Sequence, residues 1–129
     1  MIIGTGIDLL EIERISQIDK RQPKLVSRVL TEREMAAVPV KEPRRTEYIA
    51  SRYAVKEATS KAFGTGIGAS LGFHDIEIRK DQLGKPCLDV TKEAVARCFP
   101  AEDPTRLRFH VSISHSKQFV VAQVIVERT

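Results

Sequence analysis

The residues best equipped for chemistry in this chain are a carboxylate and an ammonium one helical turn apart, Glu57 and Lys61, with Gly64, Gly66 and Gly68 close behind. They lie in Arg52-Tyr-Ala-Val-Lys-Glu-Ala-Thr-Ser-Lys-Ala-Phe-Gly-Thr-Gly-Ile-Gly68, which reads as a helix running into a glycine stop. At about 100° per residue, Glu57 and Lys61 share a narrow face with Ala50, Ala54 and Ala58, while Ile49, Tyr53, Val55 and Phe63 occupy the other sides. That pattern predicts a helix buried on most of its circumference, with a charged strip kept for a ligand. A carboxylate there can hold a hard cation, and a lysine one turn on can hold phosphate. The alternative is an ordinary surface pair worth roughly a few tenths of a kcal/mol. The glycines lack a Gly-Lys-Ser/Thr ending, which excludes a Walker loop.

A second carboxylate, Asp8, stands near the end of a predicted strand over residues 2–9. Ile3, Thr5, Ile7 and Leu9 fall on one side of it, and Ile2, Gly4, Gly6 and Asp8 on the other. The glycine side is bare enough for another backbone to approach, and a helix with an alanine face suits it, which would bring Asp8 beside Glu57. The alternative role for Asp8 is to cap the helix that starts near Glu11.

The other elements follow from periodicity. Residues 11–38 read as three helical segments, the second opened by Pro23 and the third by the capping box Thr31-Glu-Arg-Glu34. Arg14, Arg21, Lys24 and Arg28 recur on their outward side, and Arg44 and Arg45 extend this basic surface past a loop at 39–43. Phe73–Arg79 and Pro86–Val90 read as a hairpin, Lys92–Phe99 as a short helix, and Leu107–Ser114 and Phe119–Glu127 as two strands. The last strand is apolar on both sides, so it is either central or covered by another subunit. His115 closes an apolar row of its strand, where a rim role competes with a functional one. The pattern is α+β, and 129 residues make one domain.

Composition narrows the function. The net charge of +4 is concentrated in residues 14–61, which carry twelve Lys/Arg against six Asp/Glu. An anionic partner therefore meets the first half. Neither an RNA-binding signature, a zinc finger nor a basic stripe interleaved with aromatics is present, so an acidic protein fits better than nucleic acid. No run approaches a membrane span, and the start Met-Ile-Ile-Gly-Thr-Gly is unlike a signal peptide, so a cytoplasmic location is expected. Cys87 and Cys98 are isolated and read as reduced thiols.

Four stretches taken together are more specific. Gly-Ile-Asp8, Lys56-Glu-Ala-Thr-Ser-Lys-Ala-Phe-Gly-Thr-Gly-Ile-Gly68, Asp81-Gln-Leu-Gly-Lys-Pro86 and Ser112-Ile-Ser-His-Ser116 run in order along the whole chain. They resemble the small holo-acyl-carrier-protein synthases, phosphopantetheinyl transferases that move the phosphopantetheine arm of coenzyme A onto a carrier-protein serine. The resemblance implies that family's fold, an antiparallel sheet packed against a long central helix with a helical N-terminal region. It implies that Asp8 and Glu57 hold Mg2+, that Lys61 neutralises phosphates, and that Ser60 and Gly64 line the pantetheine–phosphate path. It further assigns Arg52, Pro86, His115 and Ser116 to the nucleotide end, the basic ridge to an acidic acyl carrier protein, and the working form to a homotrimer with active sites between subunits. Either Glu57 or a water activated by the cation would take the serine proton. Two competing expectations are a basic binding module without chemistry and a catalytically silent scaffold of the same shape.

Overall fold

The computed structural model describes residues 1–129. The chain runs β1 (Ile2–Glu11), α1 (Ile12–Arg21), α2 (Pro23–Val29), α3 (Glu32–Ala36), α4 (Arg44–Phe63), β2 (Ile76–Lys80), β3 (Pro86–Val90), α5 (Lys92–Cys98), β4 (Leu107–His115) and β5 (Phe119–Arg128). β1, β5 and β4 form an antiparallel sheet in that order, and β2–β3 form a separate hairpin. This is the α+β arrangement expected. β5 is indeed the central strand, which accounts for its apolar run.

The sheet and α4 are fitted by glycine and alanine. Gly4, Gly6, Asp8 and Leu10 pair with Val126, Val124, Ala122 and Val120 on the sheet face under the helix. A β-carbon on Gly4 would stand 2.1 Å from the Ala62 carbonyl oxygen, and one on Gly6 would stand 2.0 Å from that of Ala58. Only glycine lets strand and helix backbones approach so closely. Ala50, Ala54 and Ala58 are fully buried in α4. Gly64 ends the helix in the left-handed conformation at φ 79°.

Two local readings are corrected. Asp8 does not cap α1, because β1 continues to Glu11 and Glu11 occupies the cap position. The first hairpin strand begins at Ile76, later than the alternation suggests, because Phe73–Asp75 closes as a 3-10 turn. Asp75 holds that turn by accepting from the Gly72 N–H (2.9 Å) and the Thr91 hydroxyl (2.9 Å).

The sheet face away from α4 is uncovered within the chain. Ile7 is 59% exposed, Leu9 65% and Phe119 40%, with Val121 and Ile125 half-buried between them.

Candidate active site

β1 and α4 deliver Asp8 and Glu57 to one cleft of about 300 Å³, whose walls include Leu10, Arg14, Ile15 and Tyr53. Asp8 reaches it because the glycines before it bring the strand against the helix. Lys61 follows one turn after Glu57, yet its ammonium bonds to β1, donating to the Ile7 carbonyl (2.9 Å) and Asp8 Oδ1 (3.2 Å). Burial raises the Glu57 pKa, and repulsion from Asp8 raises it further, while Lys61 and Tyr53 act the other way. No third Asp, Glu, His or Cys joins the two carboxylates. The donor set therefore suits Mg2+, which takes one or two carboxylates and fills its shell with phosphate oxygens and water.

Ser60 and Gly64 are not among the residues that line this cleft. Ser60 is buried and donates its hydroxyl to the Glu57 carbonyl (2.7 Å), within its own helix. Gly64 is exposed with open space around it.

A second cavity, about 320 Å³, opens beside the first half of α4 and is lined by Arg44, Arg52, Lys80, Pro86 and His115. Arg52 is only 6% exposed and has no carboxylate partner; its guanidinium lies 3.8 Å over the Tyr48 ring and donates to Ser51 Oγ at 3.1 Å. Its Nε has no hydrogen-bond partner. Burial lowers the Arg52 pKa, the direction expected of a cation that has lost water without gaining a counter-ion. Tyr48 is fixed in turn by donating its hydroxyl to the Glu34 carbonyl (2.8 Å). The excess of cations over acids in this cavity suits an anionic ligand. Ser116 is not among its lining residues; its hydroxyl oxygen accepts from the Gln118 and Phe119 N–H groups (3.2 and 3.1 Å) and shapes the β4–β5 turn.

The two cavities share no residue. Measured around α4 from Glu57, Arg44, Tyr48, Ser51 and Arg52 lie at roughly 120–180°. One side of the helix thus carries Glu57 and Lys61 toward Asp8, and the far side carries Arg44 and Arg52.

The basic surface divides. Arg14, Arg21, Lys24 and Arg28 are exposed on α1 and α2. Arg45 instead forks onto Asp19 (2.8 and 2.9 Å), which raises its pKa, and Arg44 belongs to the cationic cavity. Between α1, α2 and α4 lies an apolar hollow of about 290 Å³ walled by Ile18, Leu25, Val26 and Phe73, which periodicity alone did not reveal.

Sequence reasoning also missed Lys56, the neighbour of Glu57. Its ammonium is fully buried and donates to Glu34 Oε1 (2.7 Å), the Val29 carbonyl (2.6 Å) and the Phe73 carbonyl (3.0 Å). Glu34 accepts in addition from the Thr31 N–H (2.9 Å) and the Ile78 N–H (2.9 Å). One buried pair therefore ties α2, α3 and β2 to α4. The sequence signal was a lysine on a helix flank otherwise filled by Thr59 and Phe63, where an unpaired charge is not tolerated.

Residues 4–124 match the 4'-phosphopantetheinyl transferase superfamily. The chain belongs to that family. Its holo-[acyl-carrier-protein] synthase relatives include those of Halalkalibacterium halodurans and Bacillus subtilis, each 46% identical over 129 residues, covering 99% of this chain and 98% of the relative. The fold is likewise shared with the Bacillus anthracis synthase solved in complex with CoA (3',5'-ADP), at TM-score 0.84 and 43% identity over 100% of this chain and 99% of that one. The Helicobacter pylori synthase in complex with coenzyme A gives TM-score 0.81 and 34% identity, covering 95% and 99%. The chain is thus an enzyme of the phosphopantetheinyl transferase family, built on that family's α+β fold. None of its helices is long and apolar enough to cross a membrane.

Proposed function

We propose that this protein transfers the 4'-phosphopantetheine group of coenzyme A to a serine of an apo-acyl carrier protein, in the cytoplasm, in support of fatty acid biosynthesis. The observation that supports it is the two-sided helix: a two-carboxylate cleft behind one face of α4 and a cationic cavity with an unpartnered arginine behind the other.

In this reading the serine hydroxyl oxygen forms a bond to the pantetheine-side phosphorus, the bond from that phosphorus to the bridging oxygen breaks, and adenosine 3',5'-bisphosphate departs with the electron pair. Asp8 and Glu57 would hold Mg2+, which when bound would supply positive charge to the pyrophosphate and the leaving oxygen. Lys61, already anchored on β1, reaches the same phosphates. Either Glu57 or a water activated by the cation would take the serine proton. Arg44, Arg52, Lys80 and His115 receive the anionic nucleotide end. Arg14, Arg21, Lys24 and Arg28 steer the acidic carrier, and the apolar hollow beside them takes one of its apolar side chains.

Because the two cavities lie on opposite sides of α4, coenzyme A does not bridge them within one chain. The reading that fits is a homotrimer whose copies cover the apolar outer face at Ile7, Leu9 and Phe119 and set the cleft of one subunit against the cationic cavity of the next. Incubation with coenzyme A, Mg2+ and apo carrier protein, followed by intact mass, tests the activity. One added phosphopantetheine per carrier is expected; an unmodified carrier at every enzyme concentration contradicts the proposal. A basic module without chemistry would bind the carrier and leave its mass unchanged.

A further inference from the structure

The cationic cavity contains one acid. Among its walls Arg44, Arg52, Lys80 and His115 can face phosphate, whereas Glu47, on the first turns of α4, repels it. The Glu47 carboxylate turns into the cavity: its Oε2 stands 3.8 Å from His115 Nδ1, beyond hydrogen-bond length. Its side chain is 28% exposed, and no side-chain hydrogen bond from the protein satisfies it, although the N–H and hydroxyl of Thr46 beside it are both bonded to Glu42. A carboxylate left free at a phosphate site weakens binding unless the ligand brings it a donor.

The ligand proposed above has such donors away from its phosphates. With its 3' position phosphorylated, the ribose keeps the 2'-hydroxyl, and the adenine carries a 6-amino group. Acidic side chains read both kinds of group in nucleotide sites, the ribose hydroxyl in dinucleotide folds and exocyclic amines at base edges. We infer that Glu47 is a specificity residue that accepts a hydrogen bond from the nucleoside part of the bound coenzyme, its 2'-hydroxyl or its 6-amino group, inside a cavity whose other charges hold phosphate. This inference rests on the coenzyme A reading. It adds that the cavity selects an adenosine phosphate over a bare polyphosphate.

The test is calorimetric titration of the full-length protein and its Glu47→Ala variant with adenosine 3',5'-bisphosphate, its 2'-deoxy and inosine analogues, and pyrophosphate. The inference predicts that Glu47→Ala weakens the bisphosphate about tenfold, the scale of one hydrogen bond to a charged group, while pyrophosphate binds unchanged or tighter. It also predicts that the wild type discriminates against one of the two analogues, naming the donor, and that the variant does not. If Glu47 acts only on the charge of the cavity, removing it tightens all four ligands, and the inference is overturned. It is equally overturned if the wild type ignores both analogues, or if the variant keeps the wild-type preference. A wild type that binds pyrophosphate but no adenosine bisphosphate overturns the coenzyme A reading itself, and the inference with it. Pyrophosphate binding by the variant verifies that the cavity is intact.

Discussion

The two sides of α4 use charge in opposite ways. In the cleft, Asp8 and Glu57 repel each other and burial raises the Glu57 pKa, so the site gains from a cation. In the cavity, burial lowers the Arg52 pKa and leaves its Nε unpartnered, so the site gains from an anion. Between them, Lys56 on the same helix and its partner Glu34 on α3 are as buried as any residue in the core, yet every ammonium proton has an acceptor. Completed charges hold the helix in place, and in the proposed function the incomplete ones are where ligands bind. The difference lies in satisfaction, because burial and charge are common to all three.

The comparison breaks first at the cleft. Asp8→Asn or Glu57→Gln should reduce transfer by about 10²–10³-fold or more, as expected for loss of a group that neutralises developing charge. Thermal unfolding should stay cooperative in both, and Mn2+ titration should show weakened metal binding. Near-normal turnover at limiting Mg2+ would remove these residues from the metal site.

Lys56→Met should do the reverse. Removing one partner of a buried pair leaves Glu34 uncompensated and should cost about 3–5 kcal/mol in urea unfolding. Replacing both, as Lys56→Met with Glu34→Leu, should recover part of that loss. If Lys56→Met were as stable as the wild type, the pair would not be the tie between α4 and its neighbours.

Reversing two of Arg21, Lys24 and Arg28, which lie outside the Asp8–Glu57 cleft, should raise KM for the carrier about tenfold and flatten its salt dependence, with coenzyme A affinity kept. Arg45→Glu should act otherwise, through lost stability, since its partner is Asp19. Equal losses toward both substrates in the first set would contradict the docking assignment.

The smallest effect concerns pH. A carboxylate whose folded pKa is raised costs stability above that pKa, and the cost is relieved as pH falls through it. Glu57→Gln should therefore be slightly more stable than the wild type at pH 7, with the gap closing as pH falls toward 4.5, the ordinary glutamate value. Metal affinity of the wild type should fall with decreasing pH before that value is reached. A gap that widens on acidification would reverse the assigned direction.

The sequence made the cleft readable because its determinants are local. Glycines every second residue before Asp8 and alanines every fourth before Glu57 describe two surfaces that must meet. The existence of strands β4 and β5 was readable for the same reason, and their antiparallel pairing is what the fold adds. What stayed hidden depends on docking between distant segments. Glu34 fits a capping box and does cap α3, but its burial arises only when α3 packs on β2 and Lys56 enters from α4. Arg45 was grouped with free cations because Asp19, 26 residues earlier, becomes its neighbour only in the fold. The opposition of the two cavities follows from helix geometry applied to residues whose chemistry had to be recognised first.

That opposition is tested most directly by subunit exchange. Glu57→Gln disables the cleft and His115→Ala the cavity, so each variant alone should be inactive or nearly so. Mixed and allowed to exchange subunits, the two should regain a fraction of wild-type transfer, because some interfaces then join an intact cleft to an intact cavity. No recovery despite exchange proven by native mass spectrometry, or full activity of a wild-type monomer, would contradict a site built from two chains.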